Sequence, residues 1–321
     1  MELIKEFLTQ KSVQTFIKEK QNKMTYESYL FYSPDSLTNK EYIKTISLIY
    51  MCNNNICLSC PDCLKILQNV HPDVVIFPQG KTLSVLDAKN IIEESTKKPM
   101  LCDKKIIVIN DIDNSSVEAQ NKLLKIIEEP PKNVVFLATA TNMEKVLSTI
   151  KSRMQKRHIE PFCKNQIEKL IKNIDKPNKN LAIIQGKGYI GKTLSVLEDD
   201  KYFEFYNIAK QFVFEIKAST QVLSFTSGKQ FTRETLSIVL ENMSAFYRDI
   251  YMSKLGSKNL ISNTSEIDLY QKVESEFSVK ALLEIQKLLN GAQKKVLSNG
   301  NVNLIIETLL VKILEVKYLC K

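Results

Sequence analysis

What most constrains this chain is an alternation confined to its first half. Tyr29–Tyr32, Val74–Phe77, Lys105–Ile109 and Val134–Ala138 are short apolar runs rich in β-branched and aromatic residues, and Arg157–Ile159 is a candidate fifth. Stretches of helical spacing lie between them, at Lys40–Met51, Val85–Ser95 and Val117–Ile127. Short strands separated by helices pair in parallel through crossover connections. The run KIIVI at Lys105–Ile109 is apolar on both faces, as a strand buried between two helix layers must be.

After about residue 163 the strand signal fades. Lys164–Asn173 and Leu194–Glu198 read as short helices, and Tyr202–Lys217, Arg233–Leu255, Ser265–Asn290 and Asn301–Lys317 as long ones. Their breaks fall at Ser227-Gly228, Gly256-Ser257, Gly291 and Asn299-Gly300. The expected fold class is α/β followed by all-α: a parallel-sheet domain over 1–162, a small helical unit over 163–203 and a helical domain over 204–321.

Hydrophobic residues make 44% and charged residues 25% of the 321, a balance that excludes bulk disorder. No apolar run approaches the roughly 18 residues that span a bilayer, and the N-terminus MELIKEFLTQKSVQTFIKEK has no apolar core of a secretory signal. A cytoplasmic protein with no membrane partner is the expectation. The 45 Lys and Arg exceed the 36 Asp and Glu by nine, which permits a nucleic-acid partner and equally describes a lysine-rich solvated surface.

Four of the seven cysteines crowd into Cys52-x4-Cys57-x2-Cys60-x2-Cys63. Thiolates are soft ligands, and four in one loop can close a tetrahedron around structural zinc, leaving no open position for catalysis. The other reading is a set of free thiols. His71 could substitute for one thiolate, although His-Pro-Asp more simply opens the next strand. Cys102, Cys163 and Cys320 are isolated and read as buried small apolar residues.

Gly186–Thr193 fits the phosphate-loop pattern G-x4-G-K-[ST] letter for letter, with Lys192 and Thr193 in the phosphate and metal positions. Read so, the chain is an ATPase; read in context, the segment is a glycine turn between two short helices. A working loop follows the first strand of the sheet, and there the chain reads Ser33-Pro34-Asp35-Ser36-Leu37-Thr38-Asn39-Lys40, with no glycine to let backbone wrap a phosphate. The third strand ends in Asn110-Asp111-Ile112-Asp113, with Asn110 where a magnesium-holding Asp is expected. The sheet therefore reads as a nucleotide-binding core with a degenerate site.

The run Glu118-Ala-Gln-Asn121-Lys-Leu-Leu-Lys-Ile-Ile-Glu128-Glu129-Pro130-Pro131, followed by Val134–Thr141 and Ser148-Thr149-Ile150-Lys151-Ser152-Arg153, resembles the bacterial DNA polymerase III clamp-loader subunits of the AAA+ class. Arg248-Asp249-Ile250 and Asn301-Val-Asn303 with Glu307 extend the resemblance over nearly the whole chain. It implies an ATPase-like domain, a helical lid and a helical collar that joins a ring. It also implies gamma/tau motor subunits and a delta subunit as partners, the sliding clamp indirectly, and primed DNA in the assembled complex. ATP would be bound by those partners and not here, and the isolated chain would have no activity of its own. The same resemblance sets Gly191 where motor subunits carry a nucleotide-sensing Arg, and gives Ser152-Arg153 the role of an arginine finger acting on a neighbour's ATP. Met154 departs from the usual Cys after that pair.

Arg153 read without the resemblance is a surface residue in the basic cluster Lys151, Arg153, Lys156, Arg157, which could also lie over DNA phosphates. Glu128-Glu129 close a helix with the charge its dipole disfavours, as a subunit contact or as a solvated pair. A stand-alone zinc module for DNA is the remaining alternative, opposed by a Cys loop, Asn53–Asp62, that has no Lys or Arg.

Overall fold

The computed structural model describes every residue except Asn55, Gln79, Lys81, Pro177, Asn178, Lys229, Gln230, Asn299, Cys320 and Lys321. Two compact units result: Met1–Asp175 with Gly186–Leu194, and Lys176–Gln185 with Ser195–Lys321.

The first unit opens with α1 (Glu2–Thr9) and α2 (Lys11–Gln21) and continues through β1 (Ser28–Tyr32), α3 (Ser36–Met51), α4 (Pro61–Leu67) and β2 (Val74–Phe77). Then come α5 (Val85–Thr96), β3 (Lys105–Ile109), α6 (Val117–Glu128), β4 (Val134–Ala140), α7 (Ser148–Arg153), β5 (Gln155–His158) and α8 (Lys164–Leu170). The strands form one parallel sheet in the order β2-β3-β4-β1-β5. Every position of β3 and β4 is buried, as the both-face apolar pattern requires. All four firm strand expectations and the fifth are met, the last starting two residues early at Gln155. Parallel winding brings the residues after β1, β3 and β4 to one carboxyl edge, the edge where such sheets hold ligands. The residues that close α6 and α7 lie at the opposite, amino edge: Ser28, at the start of β1, donates to the Ile127 carbonyl at 3.0 Å.

On one side of the sheet Leu123, Ile127, Ile150 and Met154 share a core with Phe136 and Ala138. Met154, at the position of the usual Cys, is thus a core side chain that anchors the end of α7. Helices α1 and α2, which the strand-led reading passed over, pack through Phe7 and Phe16: their rings lie 5.2 Å from those of Tyr42 and Tyr29.

The chain then forms α9 (Lys179–Gln185) and α10 (Ile190–Glu198), whose first half belongs to the first unit and whose second half to the second. In the second unit follow α11 (Asp200–Phe214), α12 (Ser219–Thr226), α13 (Arg233–Lys254), α14 (Ile267–Val273), α15 (Val279–Leu297) and α16 (Val302–Leu319). Leu236, Val239, Leu240, Met243, Phe246 and Ile250 make α13 the buried spine. Asp249 is buried on it and accepts the backbone N–H groups of Ser262 and Asn263 at 3.1 and 2.9 Å, so the Arg248-Asp249-Ile250 sequence staples a loop.

Two helical expectations are corrected. The Ser265–Asn290 stretch is broken near Phe277 because Ser278 caps a new helix, its hydroxyl accepting from Ala281 N at 3.1 Å. Gly291 does not end that helix, which runs on to Leu297; an interior glycine costs only about 1 kcal/mol relative to alanine. Of the isolated cysteines, Cys163 is exposed and Cys102 half-buried, against the expectation of burial, and Cys320 lies outside the described residues. The Asn299 part of the last expected break is outside them too. Among the described residues no helix is long and apolar enough to cross a membrane.

Candidate functional site

β1 passes into α3 through Ser33–Asp35, the strand–loop–helix setting of a phosphate loop. Laid on G-x4-G-K-[ST], Ser33 and Thr38 stand at the glycines, Asn39 at the lysine and Lys40 at the hydroxyl residue. Each is committed to the chain itself. Asn39 is fully buried, donates to the carbonyls of Ser33 and Ala140 at 3.2 and 3.0 Å, and accepts the Ser33 hydroxyl at 2.6 Å. Pro34 is exposed.

Asp35 is buried and caps α3. Its Oδ2 accepts from Thr38 N at 3.1 Å, from the Thr38 hydroxyl and, across 156 residues of sequence, from Gly191 N at 2.8 Å. A helix N-terminus with its free N–H groups favours an anion, and here the anion is the chain's own carboxylate. Gly191 is required for this: a Cβ there would lie 2.7 Å from Oδ2 and closer still to Oδ1.

At the end of β3, Asp111 accepts the Ser36 hydroxyl at 2.7 Å and stands 3.3 Å from Lys40 Nζ. In a nucleotide site the hydroxyl of the loop and the strand-end acid share Mg²⁺; in this chain an ammonium occupies that relation. Asp113 is spent on Thr141 N, Thr141 Oγ1 and Asn142 N at 2.8–3.1 Å. Asn110, neutral and with its buried Oδ1 unpartnered among the described residues, lines a cavity of about 210 Å³ with Lys40, Lys44 and His71.

Gly186–Thr193 follows α9, not a strand. Lys187 and Gly188 have φ of 49° and 81° and turn the chain into α10. The turn is closed by Tyr189 N to Gly186 O at 2.8 Å, and Phe162 N donates to Gly188 O at 2.8 Å. The Thr193 hydroxyl is buried and donates to Tyr189 O at 3.0 Å, so it is not presented to a metal. This is the glycine turn between short helices.

Arg153 closes α7 at the amino edge of the sheet, a strand length (about 16 Å for five residues) from the Asp35 loop at the carboxyl edge. It is exposed. Nε donates to Glu128 Oε2 at 2.8 Å and Nη1 to Thr149 O at 3.1 Å. Ser152 is also exposed, its hydroxyl turned back on Thr149 O at 3.0 Å. Gln120 fixes the other end of α7, accepting Leu147 N at 2.9 Å and donating to Lys145 O at 3.2 Å. In the rest of the basic cluster, Lys151 donates to Met143 O at 3.1 Å and Arg157 pairs with Glu19 at 2.8 Å.

The four cysteines of the cluster converge, all sulfurs within 4.8 Å of one another. Cys52 and Cys57 are 3.8 Å apart, and two ligands about 2.3 Å from a tetrahedral ion stand at about that distance. Backbone N–H groups of Cys57, Cys60 and Cys63 point at the sulfurs of Cys52, Cys57 and Cys60 at 3.3–3.5 Å. Ile56 and Leu58 hold left-handed φ of 61° and 58° to make these turns. Hydrogen bonds from Ser59 and then Cys60 bring the Cys57 thiol down to about 6, whereas burial pushes Cys63 up. The Lys20 ammonium donates to the carbonyls of Ile49 and Tyr50 and closes α3 just before Cys52. The donor set and spacing fit a closed metal site.

His71 is not part of it. Its Nδ1 accepts Asp73 N at 3.1 Å, which leaves the ring hydrogen on Nε2, facing Asp62 at 3.6 Å and Cys102 at 3.9 Å. Those three side chains also converge, but an Nε2 that carries hydrogen has no lone pair for a cation. Sequence reasoning singled out the cysteines, Arg153 and the glycine-free loop. It missed Asp35, although Asp-x-x-Thr before a helix is a readable cap.

Residues 8–163 match a family model described as "DNA polymerase III, delta subunit", and residues 204–315 match "DNA polymerase III, delta subunit, C terminal". The chain is 24% identical over 280 residues to the DNA polymerase III subunit delta' of Bacillus subtilis, covering 81% of each. It is 32% identical over 120 residues to the DNA polymerase III subunit gamma of Buchnera aphidicola subsp. Baizongia pistaciae, 37% of this chain and 32% of that one. Among solved structures, a DNA polymerase III gamma subunit-related protein from Thermotoga maritima aligns over 95% of this chain and 99% of its own at 17% identity, with a TM-score of 0.44.

Proposed function

Because the chain belongs to the DNA polymerase III clamp-loader subunit family, we propose that it is the delta-prime-type subunit of a replicative clamp loader. It binds no ATP, organises the ring through its helical C-terminal domain, and supplies Arg153 to the ATP site of a gamma/tau neighbour. One observation carries this reading: the anion and cation positions of the chain's own loop are filled by Asp35 and Lys40, while an exposed guanidinium is held on the opposite edge of the sheet. An arginine on that edge cannot reach its own loop, so any phosphoryl group it serves belongs to another subunit.

The chemistry asked of it is electrostatic. A guanidinium supplied in trans neutralises charge that develops on the transferring γ-phosphoryl group, an effect of about 10³–10⁵ in rate in phosphoryl-transfer systems. Ser152 precedes it and fixes the turn by its bond to Thr149. The four cysteines hold zinc, which staples the α3–α4 connection and takes no part in turnover. Lys40, Asn110 and Asp111 are remnants of a nucleotide site. A delta subunit, the sliding clamp and primed DNA complete the assembly, in a cytoplasmic setting. The DNA reading of the basic cluster is weaker because Lys151, Arg153 and Arg157 each have a partner within the chain.

The test is ATP turnover by motor and delta subunits, with clamp and primed DNA, with and without this chain, beside the pure chain. Turnover should need the chain, and the pure chain should show none. Turnover by the pure chain, or a loader indifferent to its omission, contradicts the proposal.

A further inference from the structure

We propose that Glu128 is the positioning residue for Arg153, a role that rests on the trans-acting reading of that arginine. Glu128 is the last residue of α6, where the helix dipole disfavours a carboxylate. Its side chain is 53% exposed and that of Arg153 32%, so the solvent-screened pair adds little to folding. A placement that gains so little stability is explained by what it does to the guanidinium.

Arg153 uses two of its five N–H donors inside the chain: Nε on Glu128 Oε2 and one hydrogen of Nη1 on Thr149 O. Both Nη2 hydrogens and the second Nη1 hydrogen have no partner among the described residues. The carboxylate takes the Nε hydrogen, which leaves the Nη1/Nη2 edge of the planar fork to an outside group. That edge matches a group with clustered oxygens, as a phosphoryl group is. Neither end of the pair is mobile at its base. Ile127 beside Glu128 and Ile150 and Met154 around Arg153 are buried in the same core, and Gln120 clamps the start of α7. Glu128 therefore restricts the one loose part of the device, the long arginine side chain, and a misplacement of about 1 Å at such a group can cost about 10²-fold in rate.

The experiment measures kcat and KM for ATP in the reconstituted loader with wild type, Glu128→Ala, Glu128→Gln, Arg153→Ala and the double variant. Glu128→Ala should lower kcat about tenfold or more, with KM unchanged and assembly intact. Glu128→Gln, whose amide oxygen still accepts the Nε hydrogen, should recover most of the loss. In the Arg153→Ala background Glu128→Ala should do nothing further. Losses that multiply, a full-speed Glu128→Ala, or a Gln variant as slow as Ala each overturn the positioning role while leaving Arg153 in place. An Arg153→Ala loader at wild-type speed instead overturns the trans-acting reading beneath it.

Discussion

Gly191→Ala should destabilise the protein, and the sign of its effect should reverse when Asp35 is removed. The new methyl group would sit 2.7 Å from Asp35 Oδ2 and nearer still to Oδ1, so the carboxylate must swing away. In moving it gives up its bonds to Gly191 N and to Thr38. A hydrogen bond to a charged group is worth about 1.5–3 kcal/mol net, and alanine recovers up to about 1 kcal/mol of helix propensity near the start of α10. The freed carboxylate regains water in place of most of these partners, so the balance is about one such bond less the propensity gain, a loss of roughly 1–2 kcal/mol. Asp35→Ala alone forfeits an N-cap at about 0.5–2 kcal/mol. In that background nothing opposes the propensity gain, so Gly191→Ala should stabilise by up to about 1 kcal/mol. Urea unfolding of the four proteins reads this out: with a slope near 2 kcal/mol/M, the midpoint moves down by about 0.5–1 M in the first background and up in the second. Equal shifts in both backgrounds would refute the self-filled loop.

Chelation should remove zinc present in equimolar amount and lower the melting midpoint by about 5 °C or more, as expected for a loss above about 2 kcal/mol in a unit of this size; Cys60→Ser should match it in metal analysis and melting, and Cys163→Ser should change neither. Asp73 gives a pH dependence. Burial raises its carboxyl, but N–H groups of Met100, Leu101 and Cys102 at 2.6–2.9 Å outweigh this and hold it below the ordinary value. Its stabilisation is therefore present above the ordinary carboxylate range and lost as pH falls through the lowered value, so stability measured from about pH 5 down to pH 2 should drop with a slope that Asp73→Asn reduces, Glu6 and Glu94 supplying the rest. Finally, titration of the pure chain with a fluorescent Mg·ATP analogue should show no saturable binding, and Lys192→Ala should leave that result unchanged.

The sheet was legible because strands buried on both faces are written as unbroken apolar runs, and Lys105–Ile109 and Val134–Ala140 are buried at every position. The cysteine cluster was legible because its four thiols are near one another in sequence. The Asp35–Gly191 bond was not, since it joins residues 156 apart that share no pattern, and only the winding of the chain brings them together. The Glu128–Arg153 pair was half legible: each residue stood out, one as a charge opposing its helix and one beside Ser152, but nothing in the spacing joined them. The break near Phe277 hid behind continuous helical periodicity, with Ser278 as its sole sign.

One guanidinium of this chain is proposed to work on a neighbour's nucleotide. Steady-state ATP turnover by the complete loader on clamp and primed DNA, with wild type, Arg153→Ala and Arg153→Lys, tests it most directly. The expected result is that both variants assemble and that turnover falls steeply, most with Ala and incompletely restored by Lys, whose point charge lacks the fork. Wild-type turnover by an assembled Arg153→Ala loader would contradict it and leave the chain a purely architectural subunit.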